Sequence, residues 1–145
     1  MKYYTAYGSN LVLDEMRMRC PNAVKVGASV LNDYRLEFRY YLTIVPEKGA
    51  VTPIGVFQIE DTDERNLDFY EGYPSLYYKT EVSFMLDGKE EKGLVYIMNS
   101  PGKGGIEPDT SPSKSYLERC LRGYEDFGLD SEYLTDALDR TLNAR

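Results

Sequence analysis

The order of patterns along this chain predicts an α+β fold, a small, mostly antiparallel, barrel-like β-sheet with flanking helices. Three observations carry that prediction. β-Branched and aromatic stretches dominate as far as Met98, helical spacing of apolar residues follows Pro112, and turn-forming pairs separate the strand-like stretches at hairpin distances. With 145 residues and no repeat, low-complexity tract or long linker, residues 1–145 read as one domain.

The first segment, Lys2 to Tyr7, reads as a strand ending at Gly8. A short helix is predicted from Leu11 to Arg19, with Ser9 or Asn10 placed to cap it and Pro21 preventing its continuation. Strands follow at Ala23–Leu31 and Tyr34–Ile44 with Asn32-Asp33 as their turn, then a turn at Pro46-Glu47-Lys48-Gly49 and a strand from Ile54 to Glu60. The stretch Thr62–Glu71 reads as a helix, with Asp61 and Glu64 at capping-box spacing and Gly72 where a left-handed residue belongs. A hairpin is predicted from Tyr77–Leu86 and Gly93–Met98 around Asp87-Gly88. Asn99 to Pro112 is a Gly/Pro-rich loop. Ser111-Pro112 opens a helix with Leu117, Cys120, Leu121 and Tyr124 on one face, closed by Gly128. Asp130 caps a last helix carrying Leu134, Ala137, Leu138 and Leu142.

Composition narrows the chemistry. A formal net charge of -7 argues against nucleic acid and anionic membrane surfaces as partners, because both need Lys and Arg to meet phosphate. The sequence has no apolar run long enough for a membrane span and no signal-like stretch at Met1-Lys2-Tyr3, so a cytoplasmic location is expected. Cys20 and Cys120 lack metal spacing and are expected to be free thiols. Histidine is absent, which removes Ser-His-Asp and Cys-His nucleophile pairs and His-ligated zinc. Acid–base work then falls to Glu, Asp, Lys, Tyr or Cys. Tyrosine is abundant, 14 residues against five Phe and no Trp, which suits either a core bordering a polar cavity or an ordinary β-rich core.

Two places carry candidate chemistry. Tyr7-Gly8-Ser9-Asn10-Leu11 joins a strand to a helix start, where backbone and side-chain donors suit a carboxylate or an oxyanion; a capped turn that binds nothing is the plain alternative. Glu71 sits in the last turn of its helix, where the dipole and Asp68 one turn earlier both disfavour a negative charge. A raised pKa and a role as proton acceptor and donor are expected there, set against an exposed Glu of small cost. Pro101-Gly102-Lys103-Gly104-Gly105 lacks the Gly-Lys-Ser/Thr ending of a phosphate loop and reads as a flexible loop, at most a lid. Asp61, Asp63 and Glu64 fit a helix N-terminus better than a metal, so no metal is expected.

These residues resemble γ-glutamylcyclotransferase-like proteins. The similarity runs through Tyr7-Gly8-Ser9-Asn10-Leu11, Arg19-Cys20-Pro21, Val26-Gly27, Leu31, Tyr34-Arg35-Leu36 and Gly55-Val56 to Leu67-Asp68-Phe69-Tyr70-Glu71-Gly72-Tyr73-Pro74, and on to Tyr77, Val82, Tyr96 and Pro112–Tyr116. The resemblance implies that family's β-barrel-like fold and the conversion of a γ-glutamyl amide to 5-oxoproline plus free amine, with no cofactor. It places the catalytic acid–base on Glu71, the γ-glutamyl-holding loop on Tyr7, Gly8, Ser9, Asn10 and Leu11, and pocket positions on Tyr77, Tyr96 and Tyr116. The partner it implies is a small γ-glutamyl substrate. The loop from Asn99 to Ser111 is expected to choose the leaving amine. A ligand-binding or interaction domain of the same fold, or a γ-glutamyl acyltransferase, is the competing reading.

Overall fold

A computed structural model describes residues 2–144. Five strands form one sheet: β1 (Lys2–Ala6), β2 (Val24–Arg39), β3 (Tyr41–Ile59), β4 (Tyr77–Leu86) and β5 (Lys89–Met98), in the order β2-β3-β1-β5-β4. The central strand β1 is antiparallel to β3, with Tyr4 opposite Phe57, and parallel to β5, with Tyr4 opposite Leu94. Tyr4, Thr5 and Ala6 are buried in succession, as expected of a strand covered on both faces.

The sheet is not a closed barrel. Its edges β2 and β4 approach, with Ser29 Oγ donating to the Met85 carbonyl at 2.5 Å, but no backbone ladder joins them. Closure requires the hydrogen-bond register to continue around the whole circumference. Here only side chains bridge the gap.

Two turns differ from the sequence reading. Asn32-Asp33 does not reverse the chain; β2 runs straight through it, with a register shift between Asn32 and Tyr34. Asp33 takes φ 67, and its Oδ1 accepts from the Gly49 N–H at 2.9 Å. Residues 47–50 bulge out opposite it, so Pro46–Gly49 lies within β3 and is not a hairpin turn. An Asp that tolerates left-handed φ serves a bulge as readily as a turn, and local preference does not separate the two. The actual reversal is at Tyr40, φ 63, between the paired residues Arg39 and Tyr41. Bulky residues rarely adopt that conformation. The Thr110 carbonyl holds it by accepting from the Tyr40 N–H at 2.7 Å.

The helices are α1 (Leu13–Arg19), α2 (Asp61–Glu71), α3 (Lys114–Phe127) and α4 (Glu132–Asn143). A short 3-10 turn, Ser9–Leu11, precedes α1, and neither Ser9 nor Asn10 caps it; Val12 stands at the cap without a side-chain bond. The capping box of α2 pairs Glu60 with Asp63, one residue before the predicted pair, and Gly72 closes the helix at φ 65. Asp63 is fully occupied as a cap, accepting from the Glu60 and Asn22 N–H groups. The β4–β5 hairpin turns at Asp87-Gly88 as predicted. Ser113 caps α3 by accepting from the Tyr116 N–H, and Gly128 ends it at φ 66. In α4 the buried face is Leu134, Ala137 and Thr141, whereas Leu142 is 49% exposed rather than in the core. Cys20 and Cys120 are both buried and unpaired.

Leu11 wedges the first loop against the core. An added Cβ at Gly55 on β3 would meet Leu11 Cδ2 at 2.5 Å, and one at Gly123 on α3 would meet Leu11 Cβ at 2.6 Å. Two glycines thus make the space into which a fully buried Leu11 fits.

Candidate active site

The loop after β1 and the end of α2 meet across a cavity of about 390 Å³. Tyr7, Gly8, Ser9 and Asn10 form one wall, and Tyr70 and Glu71 the facing one. Tyr77, Tyr96 and Tyr116 also line it. Among the catalytic, γ-glutamyl-holding and pocket positions expected from the resemblance, Leu11 alone is absent from the lining. It lies beneath the loop as an anchor, for the packing reason just given.

Asn10 is the junction of the site. Its Nδ2 donates to Glu71 Oε1 at 3.0 Å and to the Tyr4 hydroxyl at 2.8 Å, while its Oδ1 accepts from Arg19 Nη1 at 2.5 Å. A guanidinium has donors only, so the amide oxygen must face Arg19 and the NH₂ must face the carboxylate. Freed from capping, Asn10 engages both polar atoms of its side chain with these three partners. Ser9 Oγ lies 3.2 Å from the Tyr70 hydroxyl.

Burial pushes the half-buried Glu71 carboxyl up to about 7, against the opposing pull of the Arg19 charge and the Asn10 hydrogen bond. The direction matches the sequence reading; the cause differs. Asp68 does not act on Glu71. It faces away, accepting from the Tyr96 hydroxyl at 2.5 Å and from Lys79 Nζ at 3.0 Å.

Most of the cavity's tyrosines are deeply buried. Burial holds the Tyr4, Tyr7, Tyr77 and Tyr116 phenols well above their usual pKa, so they stay neutral. Tyr7 Oη donates to the Tyr96 carbonyl at 2.7 Å. Tyr77 Oη donates to the Leu42 carbonyl at 2.7 Å, and Tyr116 Oη accepts from the Leu42 N–H at 3.1 Å. The Leu42 peptide is thereby clamped from both sides. Gly8 sits close by; a Cβ there would lie 3.3 Å from Tyr116 Oη and 3.6 Å from Leu42 Cβ. A side chain at this position would press on the cavity wall.

Several cavity residues were not recognised from sequence: Tyr4, Tyr41, Leu42, Phe69, Tyr70 and Arg119. Arg19 stacks its guanidinium 3.4 Å from the Tyr70 ring centre and its side chain is only 15% exposed. It also lies 3.8 Å from Glu15, one turn earlier on α1, a spacing common to ordinary helix-surface pairs. The Asn99–Ser111 loop does not reach the lining. Gly105 N–H donates to the Ser100 carbonyl at 3.0 Å, Asn99 Nδ2 donates to the Pro74 and Ser75 carbonyls, and Thr110 holds the Tyr40 turn. The loop braces the chain leading out of α2 and the turn that delivers Tyr41 and Leu42.

Comparison with known proteins shows the family. The family model described as "Gamma-glutamyl cyclotransferase, AIG2-like" matches residues 4–118. Gamma-glutamylcyclotransferase of Mus musculus is 27% identical over 144 residues, covering 90% of this chain and 73% of that protein. The same-named protein of Bos taurus is 28% identical with equal coverage. A solved structure of a gamma-glutamyl cyclotransferase superposes with TM-score 0.80 at 25% identity, covering 94% of this chain and 85% of the other. The match spans the loop, Glu71 and the cavity tyrosines together, and the chain belongs to the gamma-glutamyl cyclotransferase, AIG2-like family.

Proposed function

We propose that the chain is a single-domain, cofactor-free cyclotransferase that converts a γ-glutamyl amide to 5-oxoproline and a free amine. The observation that carries this reading is the Asn10–Glu71 contact inside the cavity: a carboxyl with a pKa of about 7, oriented by the loop that faces it.

The substrate contains its own nucleophile. Its α-amine attacks its γ-carbonyl, the new C–N bond closes a five-membered lactam, and the old amide C–N bond breaks. Holding amine and carbonyl in line supplies on the order of 7–11 kcal/mol of barrier reduction, as in other well-oriented intramolecular reactions. No histidine-activated protein nucleophile is needed, which fits a chain without histidine. The α-nitrogen sheds two protons in passing from ammonium to lactam N–H, and the departing nitrogen takes up two to leave as an ammonium; Glu71 accepts each proton from the first and returns it to the second in turn. A group near pKa 7 is suited to both directions of transfer at neutral pH. Tyr7, Gly8, Ser9 and Asn10 hold the γ-glutamyl half, with loop donors directed to its carboxylate or to the oxyanion formed at the γ-carbonyl. Tyr77, Tyr96 and Tyr116 give the cavity its shape and exclude water.

The test is release of 5-oxoproline from a panel of γ-glutamyl amino acids and amines by wild type beside Glu71→Gln. Product from wild type, with a loss of at least about 100-fold in the variant, supports the reaction and the base. Ligand binding by a folded wild type with no product from any panel member would favour a binding domain instead.

A further inference from the structure

Arg119, on α3, stands where the cavity opens to solvent. It is the one cation in the lining among the described residues, as Glu71 is the one anion. Its guanidinium is only partly used. Nε donates to both Glu15 oxygens at 3.1 and 3.2 Å, and Nη2 donates to Glu15 Oε1 at 2.6 Å and to the Tyr70 hydroxyl at 2.9 Å. Neither N–H of Nη1 has a partner among the described residues. The position is therefore fixed by two anchors while one donor pair remains available.

The local charge is also unbalanced. Glu15 is shared by Arg119 at 2.6 Å, Arg122 at 2.9 Å and Arg19 at 3.8 Å. Burial pushes Glu15 up, but these arginines outweigh it and hold the carboxyl below its usual range. Three cations around one anion leave a local positive surplus on a chain whose net charge is -7. Depth orders the cavity as well: Ser9 and Asn10 are buried at 6% and 3% exposure, whereas the Arg119 side chain is 33% exposed. A γ-glutamyl amide bound with its α-amine at Glu71 and its glutamyl half on the buried loop would carry its leaving half toward that more exposed end.

We propose that Arg119 receives the carboxylate of the leaving group through Nη1, so that this site prefers γ-glutamyl amino acids to γ-glutamyl amines. The inference rests on the cyclotransferase reading above. It assigns to a cavity residue the selection expected from sequence of the Asn99–Ser111 loop, which lies outside the lining.

The experiment compares γ-glutamyl-alanine with γ-glutamyl-ethylamine, which differ only in the leaving-group carboxylate. Wild type, Arg119→Gln and Arg119→Lys are assayed by 5-oxoproline release. Wild type is expected to favour the alanine compound in kcat/KM by roughly 10–100-fold, Arg119→Gln to bring the ratio toward one, and Arg119→Lys to retain part of it. A wild-type ratio near one overturns the proposal. So does an equal loss on both compounds in Arg119→Gln, because a brace for Tyr70 or a clamp for the glutamyl carboxylate serves both alike. Absence of product from both compounds and from every other panel member would overturn the cyclotransferase reading itself. Calorimetric titration of Glu71→Gln, with and without Arg119→Gln, then decides the binding claim. Tighter binding of the alanine compound that depends on Arg119 supports it, and equal or no binding overturns it.

Discussion

Arg19 reaches Glu71 through Asn10: its Nη1 donates to Asn10 Oδ1 at 2.5 Å, and the amide's other end donates to Glu71 Oε1 at 3.0 Å. The arginine thus orients the amide and also lowers the carboxyl's pKa from across it. Arg19 is a positioning residue, and its removal should alter the pH profile as well as the rate. In Arg19→Met the ionisation of Glu71 is expected to move to higher pH, since the opposing positive charge is gone. At pH 7, kcat/KM should fall by about tenfold or more and recover partly at higher pH. Arg19→Lys keeps the charge but not the planar stacking on Tyr70, so it should keep the pH limb nearer wild type. A uniform loss at every pH would indicate a purely structural role.

Glu71 links activity and stability in opposite senses. In the proposed role of base it must be ionised, so kcat/KM is expected to rise with pH through about 7. Folding raises this carboxyl from its ordinary 4.5, so the native state retains a proton that the unfolded chain releases between those values. Its stabilising contribution is complete below about pH 4.5 and is lost as pH rises through about 7. Glu71→Gln keeps an oxygen for Asn10 and removes the ionisation. The variant is expected to be more stable than wild type at pH 8, on the order of 2 kcal/mol after allowing for solvent access, and close to it at pH 5. Denaturant unfolding at the two pH values checks this; an unchanged difference would remove burial as the cause of the shift.

What was legible in the sequence was what local rules decide. Gly72 and Gly128 ended helices because the left-handed C′ position needs little beyond a glycine, and Asp87-Gly88 turned a hairpin because both central residues tolerate positive φ. Glu71 and the Tyr7–Asn10 loop were visible because an acid at a helix C-terminus and small polar residues after a strand both depart from ordinary packing. Positions fixed by distant partners were not visible. Tyr40 turns the chain because Thr110 holds its N–H, and Asn10 forgoes a cap because Arg19, Tyr4 and Glu71 use all its polar atoms. Arg119 met the cavity only through the packing of α3. Leu11 stood inside a polar motif and was read with it, although its side chain belongs to the core.

The Asp68–Tyr96 bond gives a test of the cavity wall apart from Glu71. Tyr96 Oη donates to Asp68 Oδ1, and Asp68 is also paired with Lys79 at 3.0 Å. In Tyr96→Phe the ring stays and only this bond is lost. Stability is expected to drop by about 1–3 kcal/mol, since an acceptor that is a charged, partly buried carboxylate loses one partner but keeps Lys79. The pH limb of kcat/KM should not move, because Asp68 does not act on Glu71. A shifted limb in this variant would show electrical coupling between the two carboxylates.

Leu11, Gly55 and Gly123 make a prediction in which two changes compensate. Leu11→Ala empties a fully buried site and is expected to cost about 2–5 kcal/mol, lowering Tm on the order of 10 °C. Gly123→Ala places a methyl where Leu11 Cβ lies 2.6 Å away and backbone atoms of Leu11 and Val12 lie at 3.0 Å. It should cost about 1–3 kcal/mol by overpacking and push the loop toward the cavity, lowering kcat/KM. The contacted atoms, Leu11 Cβ and the Leu11–Val12 backbone, remain in Leu11→Ala, so compensation comes from the loop shifting away from α3 into the space that Cγ and the two Cδ methyls vacate. The double variant should therefore be more stable than the sum of the single losses, a coupling measurable by unfolding of all four proteins. Additive losses would mean that the loop is held by contacts other than this wedge, and that its position over Glu71 does not depend on α3.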